Sequence, residues 1–318
     1  MLRVSFMHIF NRGKLGDLVS LLSGRDFKER TFKEEIASDS FKKLETGVLN
    51  FMNEYSFNQF VLAIKSAGFI SPKLLNSKMT LDFAYTLFLI LQKGDEVPKI
   101  EVKRYIQKWF ILSTLTGRYI GSPESQMDRD LRGISSKGFI SFLKENEDAL
   151  LSDAFWNVRL VQNLETSSIN SPYFSTFIAA QIFNGDRSLL SNSCRVSDLV
   201  SIAGDIHHIF PKEYLKESGH DEKSIYNQVA NYTYFDTVVN IAVGKKAPNE
   251  YFKTALEQCN TGNILIGTIT GKGEYLKNLE ANCIPTSIVE MKSDDYLDFL
   301  KQRRSLMAAK IKAYYYSL

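Results

Sequence analysis

Residues 204–215 read GDIHHIFPKEYL, and the fold turns on how this stretch is read. Alternation along an extended chain puts Asp205, His207 and Ile209 on one face and Ile206, His208 and Phe210 on the other. Pro211 ends the strand because it has no N–H to donate to a ladder. Histidine is scarce elsewhere: the 318-residue chain has four, and His207, His208 and His220 fall within fourteen positions. Downstream, NYTYFDTVV (231–239) is rich in β-branched and aromatic residues, which predicts a second extended run, and Asn240 stands nine residues after Asn231. Helical patterns come next, at 222–230 and 250–259.

Working outward from this segment, the pattern is helical. Residues 57–68, 80–93, 101–115 and 173–184 repeat apolar side chains at helical spacing. Thr80 is placed to cap the second of these, and the apolar run 81–91 reads as a buried helix. A last helix is expected from Asp294, capped by Ser293, to the end of the chain, with Asp294 and Asp295 at its start and Lys310 and Lys312 near its end to suit the helix dipole. The expected fold is mainly α with a small β component. Its parts are a helical domain over 1–190, a small ββα region over 191–290, and a C-terminal helix, 291–318, packed on the body.

Composition narrows the class without choosing a function. Hydrophobic residues make up 44% and charged residues 24%, which excludes a disordered or collagen-like chain. Thirty-nine Lys and Arg against 36 Asp and Glu leave a charge of +3, so no global basic field singles out a nucleic-acid partner. Cys194, Cys259 and Cys283 are odd in number, widely spaced and without a CxxC pair, which fits reduced thiols and a cytoplasmic address. The first residues lack a signal-peptide pattern, and no apolar run approaches the roughly 20 residues of a membrane-spanning helix.

Adjacent imidazoles invite a division of labour. Phosphodiester hydrolysis needs a divalent cation to neutralise the phosphate and a base of near-neutral pKa to take a proton from water. One ring can bind metal as neutral imidazole while the other stays free as base, its tautomer fixed by a nearby oxygen.

The run DIHHIFP, a loop, Asn231, Asn240 and then a helix resembles the ββα-metal motif of HNH, or His-Me finger, endonucleases. That resemblance implies His208 as general base, Asn231 as the residue that holds it, and His207 and Asn240 as metal ligands with Asp205 as a further ligand or supporting partner. More narrowly, DIHHIFPKEYLKESG, YNQVANYTYFDTVVNIAVGKKAPNEYF, the opening GKLGDLVSLLSGRDFKER, AGFI (67–70), TGRYIGSPES (116–125) and RSLMAAKIKAYY resemble the C-terminal half of the DUF262/DUF1524 group, relatives of the GmrSD type IV restriction enzymes. The resemblance implies a Mg²⁺- or Mn²⁺-dependent DNA endonuclease of restriction or phage defence, with DNA, modified DNA included, as partner. Full-length members carry an N-terminal NTPase domain with a DGQQR-type motif. The motif is absent from this sequence, so no NTP site is expected in the chain, and an NTPase domain or subunit is an expected partner.

Lys245 and Lys246, after Gly244, are candidate phosphate contacts. Arg118 is another, with a structural salt bridge as the competing reading. His220 is expected in a solvated loop, and Arg303 and Arg304 as ordinary surface charge. The rival to an enzyme is a catalytically inactive DNA-binding or protein-docking module of the same family.

Overall fold

Helix-forming sequence dominates the chain, and the structure, a computed structural model that describes residues 1–318, is accordingly mainly α with one two-stranded sheet. It divides into two compact units, Met1–Lys65 with Ser77–Ser152 and Leu318, and Ser66–Asn76 with Asp153–Ser317.

The first unit contains α1 (Leu2–Phe10), α2 (Leu15–Leu22), α3 (Glu34–Phe51), α4 (Glu54–Ser66, its last residue in the second unit), α5 (Lys78–Lys93), α6 (Lys99–Thr116), α7 (Pro123–Lys137) and α8 (Phe139–Leu150). The expected helices over 57–68, 80–93 and 101–115 are α4, α5 and α6. Helix α5 starts earlier than expected because Ser77 is the cap, its hydroxyl accepting from the Thr80 N–H at 3.2 Å. Its run from Phe83 to Leu89 is buried throughout, with Phe83 against Trp109 and Tyr119.

The second unit contains a short π-helical turn at Phe155–Arg159, α9 (Leu160–Asn163), α10 (Pro172–Phe183), α11 (Val196–Ser201), β1 (His207–His208), α12 (Lys212–Glu217), α13 (Lys223–Tyr226), β2 (Tyr232–Thr233), α14 (Thr237–Val243), α15 (Pro248–Thr261), α16 (Lys272–Ala281) and α17 (Tyr296–Ser317). Its division differs from the boundaries expected at 190 and 290. Residues 153–190 and 291–317 share one unit with the histidine segment, because α10 and α17 supply the apolar faces it packs on. Phe174 meets Tyr232 edge-on, and Phe210 packs between Tyr296 and Phe299. Fully burying a side chain such as Phe210 contributes about 1.5–3 kcal/mol.

Strands β1 and β2 are antiparallel, with His207 opposite Thr233 and His208 opposite Tyr232. The extended run expected over 231–239 is cut to 232–233. Asp236 caps the next turn of chain, its carboxylate accepting from the Val239 N–H at 2.9 Å, so the backbone winds into α14 despite its β-branched residues. Between the two strands lie α12 and α13, and α14 follows β2.

Helix α17 is the spine of this unit. Tyr296, Phe299, Leu300, Met307, Ile311 and Tyr314 recur on its buried face. Ser293 is not its side-chain cap: the Ser293 N–H donates to the Tyr214 hydroxyl, while the Asp295 carboxylate accepts from the Lys292 N–H. Residues 66–76 reach α10 through Gly68, at φ +94, where a Cβ would collide with the Ala179 carbonyl oxygen. Only glycine admits both that backbone and that approach.

Candidate active site

The two strands present their histidines differently. The His208 ring is partly buried, edge-on to Tyr232 at 5.2 Å, and its Nε2 lies 2.9 Å from the Asn227 side-chain oxygen. With that oxygen facing the ring, Nε2–H donates and the lone pair sits on Nδ1, which no protein group engages. Burial pushes the His208 pKa down. The Asn227 hydrogen bond opposes that shift, and the charges of Lys212 and His207 reinforce it. Burial thus favours the neutral ring, the form a general base requires.

His208 lines a cavity of about 360 Å³ together with Ser71, Lys73, Phe174, Asp205 and Tyr234 among others. The Ser71–Leu74 turn reaches this wall because Gly68 brings residues 66–76 against α10. Sequence reasoning points to neither Asn227 nor the 71–74 turn. An Asn within hydrogen-bond reach of a histidine nineteen positions away has no local signature.

His207 is half-buried beside Phe235, and its pKa is lowered by burial, with Asp205 acting in the opposite sense. No protein group hydrogen-bonds its ring or the side chain of Asn240 on α14, so these donors are free for a ligand. Asp205 is exposed, lines the His208 cavity and acts electrostatically on His207. No three His, Cys, Asp or Glu side chains gather closely enough to enclose a metal. Imidazole, carboxylate and amide oxygen are donor types that a hydrated Mg²⁺ or Mn²⁺ accepts, and of these three side chains Asp205 acts electrostatically on His207.

Asn231 does not hold His208. It is fully buried, and its side chain accepts from the Phe210 N–H at 2.8 Å while donating to the carbonyls of Phe210 and Tyr226, both at 3.1 Å. It is a backbone clamp on the loop between the strands, and its chemistry is satisfied there. Arg303, expected at the surface, is 1% exposed. It donates to the carbonyls on either side of Asn231, Ala230 at 2.9 Å and Tyr232 at 2.7 Å, and to that of Asn282 at 3.2 Å. Burial pushes its pKa down to about 10. His220, expected in solvent, is partly buried against Tyr296, with Nε2 at 3.2 Å from the Ser293 carbonyl.

The phosphate candidates separate. Arg118 belongs to the first unit, where its Nε and Nη2 meet Asp130 at 2.7 and 2.6 Å and the guanidinium lies over the Trp109 ring. Its side chain is 9% exposed, so the structure selects the salt bridge over phosphate contact. Lys245 is exposed and pairs with Glu217 at 2.9 Å; Lys246, also exposed, donates to the Ala242 carbonyl near the end of α14. Both are open to solvent and reachable by an anion.

No protein-family profile and no solved structure matches the chain. It is 28% identical over 182 residues to the uncharacterized protein MJ0686 of Methanocaldococcus jannaschii, a match that takes in 56% of this chain and 29% of that protein. The chain thus spans under a third of that relative's length. No helix is long and apolar enough to cross a membrane, and Cys194, Cys259 and Cys283 are free thiols.

Proposed function

We propose that the chain is a divalent-metal-dependent DNA endonuclease that hydrolyses phosphodiester bonds, the nuclease portion of a restriction or phage-defence protein built on a His-Me finger. The observation that carries this reading is the placing of His208: its Nε2 is held by Asn227 and its ring stands at a cavity wall. Water placed against the His208 ring gives it a proton as its oxygen attacks phosphorus in line, the P–O3′ bond breaks, the leaving 3′ oxygen takes a proton from solvent, and Asn227 stabilises the imidazolium that forms. His207, Asn240 and Asp205 would hold Mg²⁺ or Mn²⁺, which supplies positive charge to the phosphate. Asn231 and Arg303 hold the backbone of both strands so that the His208 ring keeps its aim. Lys245 and Lys246 offer charge to flanking phosphates.

A docking role of the first unit is favoured by its exposed apolar side chains. Phe41, Leu49, Met52 and Tyr55, each more than half exposed, follow one another along α3 and into α4. That reading is compatible with catalysis in the second unit and attaches to the NTPase domain or subunit that the family resemblance implies.

Nicking of supercoiled plasmid tests the enzyme reading. Conversion to open circles in Mg²⁺ or Mn²⁺, abolished by a chelator and restored by added metal, is expected. A pure preparation that nicks neither unmodified nor modified DNA under any divalent ion contradicts it and leaves the docking module standing.

A further inference from the structure

The cavity at His208 is built for more than a proton transfer. Its walls are aromatic and aliphatic, formed by Phe174, Tyr232, Tyr234, Ile178 and Leu74, and its polar groups converge from different segments. Tyr234 is nine-tenths buried, and no protein group hydrogen-bonds its hydroxyl. Its ring is one aromatic wall of the cavity, and its hydroxyl, not sealed from solvent, can meet water or a ligand. Lys73 is exposed and without a carboxylate partner at the same wall, and Lys212, likewise unpaired, lies over the Tyr226 ring beside His208. An apolar chamber with a few convergent polar groups and a cation is the make-up of a small-molecule pocket.

Size then limits what can reach the base. A volume of 360 Å³ corresponds to a sphere roughly 9 Å across, narrower than the major groove of B-form DNA alone, at about 12 Å. A stacked base pair does not enter such a space. A single nucleotide does, with its base against Tyr234 and Phe174 and its phosphate toward His208 and Lys73. Stacking on aromatic side chains beside a cationic track is the general mode by which unpaired strands are held without sequence preference.

We propose that this cavity receives one unpaired nucleotide, so that the strand presented to His208 is single-stranded or locally unpaired DNA. The proposal rests on the nuclease reading for its chemistry and on the cavity alone for its binding preference, and the two are tested separately. The probes are a labelled single strand, the same sequence as a full duplex, and a duplex with a central unpaired bubble.

In Mn²⁺, the full chain is expected to cut the single strand and the bubble at least tenfold faster than the duplex, with bubble cuts confined to unpaired nucleotides. Duplex cut as fast as single strand overturns the inference and leaves the nuclease reading intact. Binding is read by anisotropy with His208→Ala protein, which takes cleavage out of the measurement. A tenfold preference for single strand, reduced severalfold by Lys73→Glu and by Tyr234→Leu, supports the pocket. Equal affinity for single strand and duplex, or a preference that neither substitution moves, overturns it. Lys73 is exposed, so Lys73→Glu keeps the test informative where Tyr234→Leu fails to fold. A single-strand preference without cleavage of any probe sinks the nuclease reading alone.

Discussion

Arg118 and His208 each sit among aromatic rings with a polar partner, and they do opposite things. Asp130 accepts four hydrogen bonds, two from Arg118 and one each from Tyr119 and Gln126, and it is almost completely buried. Nothing in that cluster is left for a ligand. Around His208, Nε2 is held by Asn227 while the His208 and Tyr234 side chains line a cavity and make no further protein hydrogen bond. The difference shows that burial beside aromatics does not identify a functional group; an open lone pair, held in aim by a satisfied neighbour, does.

Breaking the closed cluster has the largest effect on stability. Arg118→Ala strands a buried carboxylate and is expected to cost about 3–5 kcal/mol in denaturant unfolding of the first unit. DNA affinity, measured by anisotropy below the unfolding midpoint, is expected to stay within twofold of wild type. A loss of affinity with stability intact would restore Arg118 as a phosphate contact.

Next comes the clamp behind the open cluster. Asn231→Ala leaves the Phe210 N–H and two buried carbonyls without their partner and is expected to cost about 2–4 kcal/mol. Its damage is therefore read first as a lowered unfolding midpoint. Activity lost at unchanged stability would return Asn231 to direct contact with the base.

Asn227→Ala sharpens the contrast at the site itself. Loss of the tautomer-fixing hydrogen bond is expected to slow cleavage about tenfold, well within the range of general-base effects. The sign of the pH effect is also set. The Asn227 bond raises the His208 pKa against burial, so its removal moves the acid limb of the rate profile to lower pH. An unmoved limb would mean that the titrating base is another group.

Acid stability depends on the buried histidines of both units. His207, His208 and His8 all have pKa values lowered by burial, His8 to about 4. The unfolded chain binds more protons below its ordinary histidine pKa of about 6.5, so this contribution to stability is complete above that pH. It is lost as pH falls from about 6.5 toward about 4. Unfolding midpoints are expected to be flat between about pH 7 and 8 and to decline below about 6.5, with His8→Gln flattening the lower part of that decline.

The helices are legible in the sequence because they carry long apolar repeats. The run 81–91 and the apolar face of α17 need no tertiary information. The sheet is over-read from propensity: the β-branched residues of 231–239 lose to a single capping carboxylate, Asp236, a local competition that propensity does not weigh. At the site, the histidine pair stands out as a compositional cluster, and of its two rings His208 is the one at the cavity wall. Spacing singles out Asn231 for the wrong reason, since it marks a residue and not the atoms it bonds. Asn227, Lys73, Tyr234 and the buried Arg303 are beyond the reach of sequence because their significance comes from contacts between segments far apart in the chain. Arg303 in particular looks like surface charge until the Ala230 and Tyr232 carbonyls are placed against it.

The most direct test is single-turnover cleavage of a labelled single strand in Mn²⁺ by wild type, His208→Ala and His220→Ala. With His208 as the base, His208→Ala is predicted to slow the rate by about 10² to 10⁴-fold, while His220→Ala, which does not line the cavity, stays near wild type once folded protein is matched. Undiminished cleavage by His208→Ala would contradict that assignment.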